Sequence, residues 1–119
     1  MDLEKMTCEP CRGDSRGIKS DEYSSYLNNL PGWQIVAVDG VDRLEKSFTF
    51  HSYPAALGFV QQVGEAADGE DHHPVMEISW GKVKVTWWTH AIDGLHRNDM
   101  IMAARTEALY RTLAGHGES

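Results

Sequence analysis

Apolar residues recur with helical spacing in two segments that precede residue 70. The first segment has Ser20 as its predicted N-cap and ends at Pro31-Gly32, because proline and glycine stop a helix. The second follows His51 or Ser52, either of which can cap it, and carries Pro54 in its first turn, where proline is tolerated. The two apolar stripes are Tyr23, Tyr26, Leu27 and Leu30, and Ala56, Phe59, Val60, Val63 and Ala67.

A third helical segment lies near the end of the chain. It begins after Gly94-Leu95 and runs to about Leu113, with Gly115 beyond its end. Its predicted buried stripe is Ile101, Ala104 and Ala108.

Two β-hairpins are predicted between the helices. Asp39-Gly40 favours the first turn, because both of its positions accept a positive φ, and Gly81 marks the second turn. The predicted strands are Trp33–Val38, Val41–Phe50, Val75–Trp80 and Lys82–His90. Polar residues alternate with apolar ones along the second strand, so one face of the sheet is expected to be exposed to water.

Side-chain chemistry indicates the register of the second hairpin. A two-residue turn at Trp80-Gly81 places two apolar pairs and one ion pair opposite each other, namely Met76 with Val85, Ile78 with Val83, and Glu77 with Lys84. The resulting order, αββαββα, predicts an α+β fold: a four-stranded antiparallel sheet with three helices packed on one face.

The rest of the chain is a polar leader at residues 1–19, which carries charges, Gly and Pro without periodicity. We expect its order to depend on what it packs against. Residues 20–115 are predicted to form a single domain, since 119 residues leave room for only one of ordinary size. Hydrophobic residues at 41% and charged residues at 24% are globular values, which exclude disorder and collagen-like repeats.

Net charge and hydropathy restrict the partners. The formal charge of −7 repels phosphate backbones and anionic lipid, so direct nucleic-acid binding is not expected. The longest apolar run, Ala55–Val60, is far shorter than the ~20 residues of a membrane span, and the first residues lack an apolar signal segment. We therefore expect a soluble cytoplasmic protein without a membrane partner.

Cys8 and Cys11, spaced C-x-x-C, are the only cysteines. Two thiols are half of a tetrahedral zinc site, and no second C-x-x-C or H-x-x-x-H motif supplies the other half. A redox pair would be expected where a helix opens after a strand, which this leader does not provide. A leader without a chemical role is the favoured interpretation, and a metal or redox role is the alternative.

Three of the six histidines fall in one region of the predicted hairpin. Extending the register places His73 opposite Trp88, His90 opposite Asp71, and His72 beside Thr89. Imidazole donates and accepts protons near neutral pH, so acid–base chemistry is one hypothesis for this cluster. The alternatives are polar loop residues, with His90 bonded to Asp71, and a three-histidine zinc site, which the spacing does not specifically support.

Asp99 is predicted in the first turn of the third helix. An acid at that position compensates the helix dipole and accepts backbone N–H groups, so the residue types alone favour a structural role. His51, His96 and His116 are assigned no chemistry.

Together these residues form one pattern: Asp68-x3-His72-His73-Pro74-x5-Trp80-x9-His90-x8-Asp99. It resembles the signature of the pterin-4a-carbinolamine dehydratases, and the likeness covers about residues 20 to 113. The C-x-x-C leader and the stretch Trp87–Asp99 are most similar to bacterial members that accompany phenylalanine hydroxylase.

The resemblance implies a lyase that converts 4a-hydroxytetrahydrobiopterin to quinonoid dihydrobiopterin and water. Such an enzyme recycles the pterin cofactor of an aromatic amino acid hydroxylase, as in phenylalanine catabolism. The residues that the resemblance implies are His72, His73 and His90 for catalysis, and His73, Asp99, Asp68 and Trp33 for pterin binding. It implies no metal and no organic cofactor.

Two positions depart from the family pattern. Family members often carry Glu where Asp68 stands, and Ser or Thr where His96 stands at the start of the last helix. Neither departure touches the three histidines.

A non-enzymatic interaction module is the second functional hypothesis. The resemblance implies it too, because animal relatives are dimerisation cofactors of a homeodomain transcription factor and bacterial relatives are linked to hydroxylase expression. It further implies functional association with phenylalanine hydroxylase, and a homodimer or homotetramer. The uncharged end of the second strand, Ser47–Phe50, is the predicted pairing edge.

Overall fold

The structure, a computed structural model, describes residues 2–10, 13 and 15–115. Its strands are β1 (Gln34–Val38), β2 (Val41–Thr49), β3 (Val75–Ser79) and β4 (Lys82–Trp87), in the antiparallel order β1-β2-β4-β3. Its helices are α1 (Tyr23–Leu27), α2 (Tyr53–Gly69) and α3 (Arg97–Gly115). The predicted α+β fold is confirmed. No helix in the described part of the chain is long and apolar enough to cross a membrane.

Both hairpins form as their turn residues require. Asp39 and Gly40 have φ of 53° and 78°, the positive values of a tight hairpin turn, and Gly81 has φ of 76°. In the second hairpin the observed pairs are Met76 with Val85, Glu77 with Lys84, and Ile78 with Val83, which confirms the predicted register. Alternation along β2 and β4 then places Leu44, Phe48, Val83, Val85 and Trp87 on the helix-covered face, each at most 2% exposed.

The helix α2 follows its sequence prediction closely. The hydroxyl of Ser52 accepts the amide N–H of Ala55 at 3.2 Å, so Ser52 is the cap, with Pro54 in the first turn. Its buried residues are Ala56, Phe59, Val63 and Ala67. This stripe packs α2 against β3, β4 and α3.

The first and third helices differ from prediction in detail. Ser20 does not cap a helix: the Glu22 carboxylate accepts the Lys19 N–H at 2.9 Å, and one 3₁₀ turn precedes α1. Gly115 lies inside α3 instead of beyond it, and Ala104 and Ala108 are only half-buried. The leader turn at Leu3–Lys5 packs on α3 as well, so its buried face is broader than predicted. The buried residues of α3 are Asn98, Asp99, Met100, Ile101, Met102, Ala103 and Thr106.

The strand β4 is shorter than predicted. Its ladder with β3 stops at Val75 and Thr86, and the strand ends at Trp87. His90 therefore begins a 3₁₀ turn instead of ending a strand, so the extended pairing of His90 with Asp71 does not form as a strand pair.

The strand β2 lies inside the sheet, hydrogen-bonded to β1 on one side and to β4 on the other. Ser47 pairs with Lys84 and Phe48 with Val83. The prediction that the end of β2 is a free pairing edge is therefore wrong, because the hairpins meet through it; the sheet edges are β1 and β3.

The end of α2 is a Schellman motif that sets the direction of the following segment. The N–H of His72 donates to the carbonyl of Ala67 at 3.1 Å, and the N–H of Asp71 donates to the carbonyl of Asp68 at 3.2 Å. Asp71 occupies the left-handed position of the motif, with φ of 52°. Backbone geometry therefore turns the chain at Asp71 and fixes where His72 starts.

Substitution of Asp71 tests this turn. Asp71→Gly is expected to leave the free energy of unfolding unchanged or to raise it by up to about 1 kcal/mol, since glycine adopts positive φ without a steric cost. Asp71→Val is expected to lower it by about 1–2 kcal/mol, because a β-branched residue is strained there. Urea unfolding followed by circular dichroism measures both. Equal stability of the two variants would show that the left-handed backbone does not matter.

Candidate active site

His72 and Asp99 form a buried pair between the end of α2 and the start of α3. Nε2 of His72 lies 2.6 Å from Oδ1 of Asp99, and the two side chains are 10% and 0% exposed. Because a carboxylate oxygen only accepts, we assign the proton of this bond to Nε2. The other ring nitrogen, Nδ1, is then an acceptor. The imidazole also stacks on Trp87, with ring centres 5.5 Å apart and planes at 15°, which fixes its orientation.

The second oxygen of Asp99 holds the neighbouring backbone. Oδ2 accepts the hydroxyl of Thr89 at 2.8 Å and the backbone N–H of His96 at 2.9 Å. Asp99 therefore caps α3, as the structural interpretation proposed, and at the same time orients His72. A carboxylate with this many partners can stay buried without a metal ion.

His96 is a functional group that the sequence analysis missed. It is 2% exposed, and its Nδ1 accepts the backbone N–H of Asn98 at 2.9 Å, while Asp99 receives the His96 N–H. His96 thus caps α3, with its ring nitrogen as the acceptor in place of the usual serine or threonine hydroxyl. Nε2 of His96 lies 3.2 Å from Oε1 of Glu9, in the leader. The sequence signal for this role was the absence of Ser or Thr at the predicted cap of the third helix, because a capping position needs a hydrogen-bond acceptor.

His73 lies on the outside of this segment. Its Nε2 is 3.1 Å from Oδ1 of Asp68, and the two side chains are 57% and 84% exposed. The following Pro74 restricts the backbone of His73 to extended conformations. The pair His73 and Asp68 is thus solvent-accessible, next to the buried pair of His72 and Asp99.

His90 is presented by a small closed loop. Thr89 and Gly94 exchange backbone hydrogen bonds of 2.8 and 3.3 Å, and Asp93 takes a left-handed conformation with φ of 48°. The exposed His90 ring lies 4.5 Å from the ring of Trp88. Since Thr89 also bonds Asp99, this loop and the His72 pair share one anchor.

Arg43 is a second residue that the sequence did not single out. Its guanidinium carbon lies 4.0 Å from the centre of the Trp88 ring, a cation–π contact on the ring that His90 touches. Its Nε is buried and has no hydrogen-bond partner among the described residues. Only the pairing of β2 with β4 brings Arg43 to Trp88, so no local pattern could have predicted the contact.

A cavity of about 330 Å³ opens beside His72. Its lining residues come from the leader, the end of α2 and the start of α3: Cys8, Glu9, Pro10, Gly69, Glu70, Asp71, His72 and Asn98. This volume is in the range of small-molecule sites. No group of three or more metal-ligating side chains occurs among the residues that the structure describes.

Trp33, the remaining predicted site residue, lies elsewhere. Its indole N–H donates to Glu107 at 3.1 Å and its ring meets the edge of Phe48. Glu107 is eight residues beyond Asp99 on α3, about 12 Å along the helix axis. The described contacts thus bring together His72 and Asp99, and Thr89 links the His90 loop to this pair. They join no two of the imidazoles of His72, His73 and His90, and they do not include Trp33. Cys11 and His116 lie outside the described residues.

Comparison with known proteins assigns the chain to a family. The family model described as pterin 4 alpha carbinolamine dehydratase matches residues 16–109. The chain belongs to this family. A relative from Syntrophotalea carbinolica, named "Putative pterin-4-alpha-carbinolamine dehydratase", is 46% identical over 107 residues, which cover 90% of this chain and 96% of the relative. One from Gloeobacter violaceus is 44% identical over 109 residues, 92% of this chain and 94% of the relative.

Two solved structures share the fold. A transcriptional coactivator/pterin dehydratase from Brucella melitensis superposes with a TM-score of 0.73 at 33% identity, covering 80% of this chain and 99% of its own. A pterin dehydratase-like protein identified as a RuBisCO assembly factor in the alpha-carboxysome gives a TM-score of 0.57 at 22% identity, covering 66% and 89%, a likeness of fold alone. The family model begins at residue 16, so the leader segment that lines the His72 cavity lies outside it.

Proposed function

We propose that this protein catalyses the dehydration of a 4a-hydroxytetrahydropterin to the quinonoid dihydropterin. The observation that carries the proposal is the buried pair of His72 and Asp99, in a chain of the pterin dehydratase family, with His72 lining a cavity of small-molecule size. The reaction eliminates water across C4a and N5. The N5–H proton leaves, a C4a=N5 double bond forms, and the C4a–O bond breaks with protonation of the departing hydroxyl.

The two proton transfers suit two histidines held in different ways. Asp99 accepts from Nε2 of His72 and so leaves Nδ1 as a base for the N5 proton. His90, exposed on its loop, is assigned as the acid that protonates the leaving hydroxyl. His73, restrained by Pro74 and paired with Asp68, is assigned to orient the pterin. This mechanism needs neither a metal nor an organic cofactor.

A direct assay tests the proposal. Freshly generated 4a-hydroxytetrahydropterin is followed by its ultraviolet absorbance with and without the protein, against the spontaneous dehydration rate. We expect the protein to accelerate the loss of the 4a-hydroxy species, with saturation as substrate rises. A rate equal to the spontaneous one at micromolar protein would refute the enzymatic assignment.

The alternative is a non-enzymatic interaction module. It is favoured by the names of two structural neighbours, one a transcriptional coactivator/pterin dehydratase and the other an assembly factor. The charge of −7 argues for a protein partner over nucleic acid. Failure of the turnover assay together with a folded chain would select this alternative.

If the enzyme assignment holds, its setting is the recycling of the pterin used by an aromatic amino acid hydroxylase. Phenylalanine catabolism in the cytoplasm is the setting we propose. Co-expression with a phenylalanine hydroxylase should then sustain hydroxylation at limiting pterin. Equal hydroxylation with and without the protein would refute that setting.

Replacement of His90 and replacement of His73 are expected to change different kinetic parameters. His90→Ala should lower kcat by roughly 10²–10⁴-fold, the usual effect of losing an acid–base group. His73→Ala should act mainly on KM, because we assign it to substrate orientation. Steady-state kinetics separates the two parameters. An unchanged kcat in His90→Ala would remove His90 from proton transfer.

Self-association is expected through the outer parts of the fold. With β2 inside the sheet, the strand edges open to a second copy are β1 and β3. Unpaired strand edges favour pairing, and two-fold dimers are the commonest soluble oligomers. We expect a homodimer or a homotetramer. Sedimentation at micromolar concentration checks this, and a 13.3 kDa species would contradict it.

A further inference from the structure

The leader is attached to the domain along residues 3–10, a segment that we name the strap. Leu3 is 3% exposed and belongs to the core. The carbonyl of Met6 accepts from Arg105 of α3, and Glu4 pairs with Arg111 at 3.4 Å. The strap thus runs along α3 toward the helix start, where Asp99 lies.

Three hydrogen bonds and one carboxylate–imidazole contact fasten the end of the strap to both sides of the candidate site. The Cys8 N–H donates to Glu70 at 3.0 Å, two residues before His72. The Glu9 N–H donates to the side-chain oxygen of Asn98 at 3.1 Å, and the Asn98 amide donates back to the Glu9 carbonyl at 2.6 Å. The Glu9 carboxylate lies 3.2 Å from Nε2 of His96. These anchors lie next to His72, just after the end of α2, and next to Asp99 on α3.

Electrostatics supports an ionised anchor at Glu70. The hydrogen bond from the Cys8 amide, together with the charge of Arg105 at 3.5 Å, lowers the pKa of Glu70. A depressed pKa means that this carboxylate stabilises the docked strap at neutral pH, and that its contribution falls only as the pH drops through the lowered value.

The strap is also one wall of the cavity. Cys8, Glu9 and Pro10 line the 330 Å³ space together with Glu70, Asp71 and His72. The acidic side chains among these lining residues are Glu9, Glu70 and Asp71. Such a lining favours a ligand edge that donates N–H groups and disfavours an anionic group. The amino-pyrimidinone edge of a pterin is such a donor edge.

We propose that the strap completes the pterin site, with Glu9 as the residue that sets the strap wall and selects an uncharged pterin over a phosphorylated one. This inference rests on the proposed function. It adds a binding element that comes from outside the span of the family model.

Calorimetric binding of oxidised biopterin, which cannot be dehydrated, tests the inference without turnover. We expect Glu9→Gln to weaken binding about tenfold or more, as expected for a lost charge-assisted hydrogen bond. Glu4→Gln is the matched control: it makes the same change in the same strap, outside the cavity, and should bind within about twofold of the unaltered protein. Glu9→Asp, which keeps the charge, should recover part of the affinity.

Two further readouts separate ligand selection from a general loss of structure. The unaltered protein should bind neopterin monophosphate at least about tenfold more weakly than biopterin, and Glu9→Gln should narrow that ratio. In turnover, Glu9→Gln should raise KM and leave kcat within a few-fold. Thermal unfolding shows whether each variant folds. If Glu9→Gln does not fold, the affinity and phosphate discrimination of Glu9→Asp test the proposal instead.

The outcomes distinguish the two proposals. If the unaltered protein turns over and binds pterin but Glu9→Gln matches Glu4→Gln in affinity and in phosphate discrimination, the inference is wrong and the proposed function stands. If the unaltered protein neither binds nor turns over pterin, the proposed function fails and the inference fails with it.

Discussion

Replacing His72 with alanine is expected to lower turnover of the 4a-hydroxypterin by roughly 10²–10⁴-fold, the range for loss of a positioned acid–base group. The effect should fall on kcat, since His72 is the group assigned to take the N5 proton. Alanine also leaves the buried Asp99 carboxylate short of one donor, which we expect to cost about 1–3 kcal/mol of stability. Initial rates and urea unfolding measure the two effects separately.

Two matched variants isolate the chemistry of His72. His72→Gln keeps an N–H donor for Asp99, but a glutamine side chain cannot exchange a proton. This variant should therefore fold and lack activity. His51→Ala removes an exposed imidazole at the start of α2 and should keep the rate of the unaltered protein. Activity in His72→Gln within tenfold of the unaltered protein would show that His72 does not transfer a proton.

Replacing Asp99 with asparagine is expected to reduce kcat by about 10²-fold or more while the fold persists. The asparagine side chain has nearly the same shape, and its oxygen can still accept from Thr89 and from the His96 N–H. Its amide nitrogen, however, would donate to Nε2 of His72 where the carboxylate now accepts. The imidazole proton would then move to Nδ1, the atom that we assign as the base.

The kinetic parameters give this variant a signature that a purely structural role would not produce. Because the change acts on which nitrogen of His72 carries the proton, the loss should fall on kcat and leave KM within a few-fold. Asp21→Asn, an exposed change of the same type near the start of α1, serves as the control. Equal kcat for Asp99→Asn and Asp21→Asn would mean that Asp99 only caps the helix.

Local patterns in the sequence predicted most of the fold. The α2 stripe, the Ser52 cap and the positive φ at Asp39-Gly40 each depend on neighbours within a few residues, so each can be predicted without the rest of the chain. The register of the second hairpin was also correct, because apolar pairs and an ion pair are satisfied together in only one alignment. The strand end at Trp87 was missed, since Thr89 leaves the ladder to bond Gly94 and Asp99.

The contacts of the candidate site likewise separate into local ones, which the sequence predicts, and long-range ones, which it does not. The sequence determined by itself that His72, His73 and Pro74 follow a helix and that Asp99 opens another, since both depend on local signals. Only the tertiary structure joined His72 to Asp99, 27 residues away, placed β2 inside the sheet, and docked Glu9 on Asn98, 89 residues away. Such contacts depend on which elements share one core, and the packing of the whole chain decides that, because no short segment contains both partners.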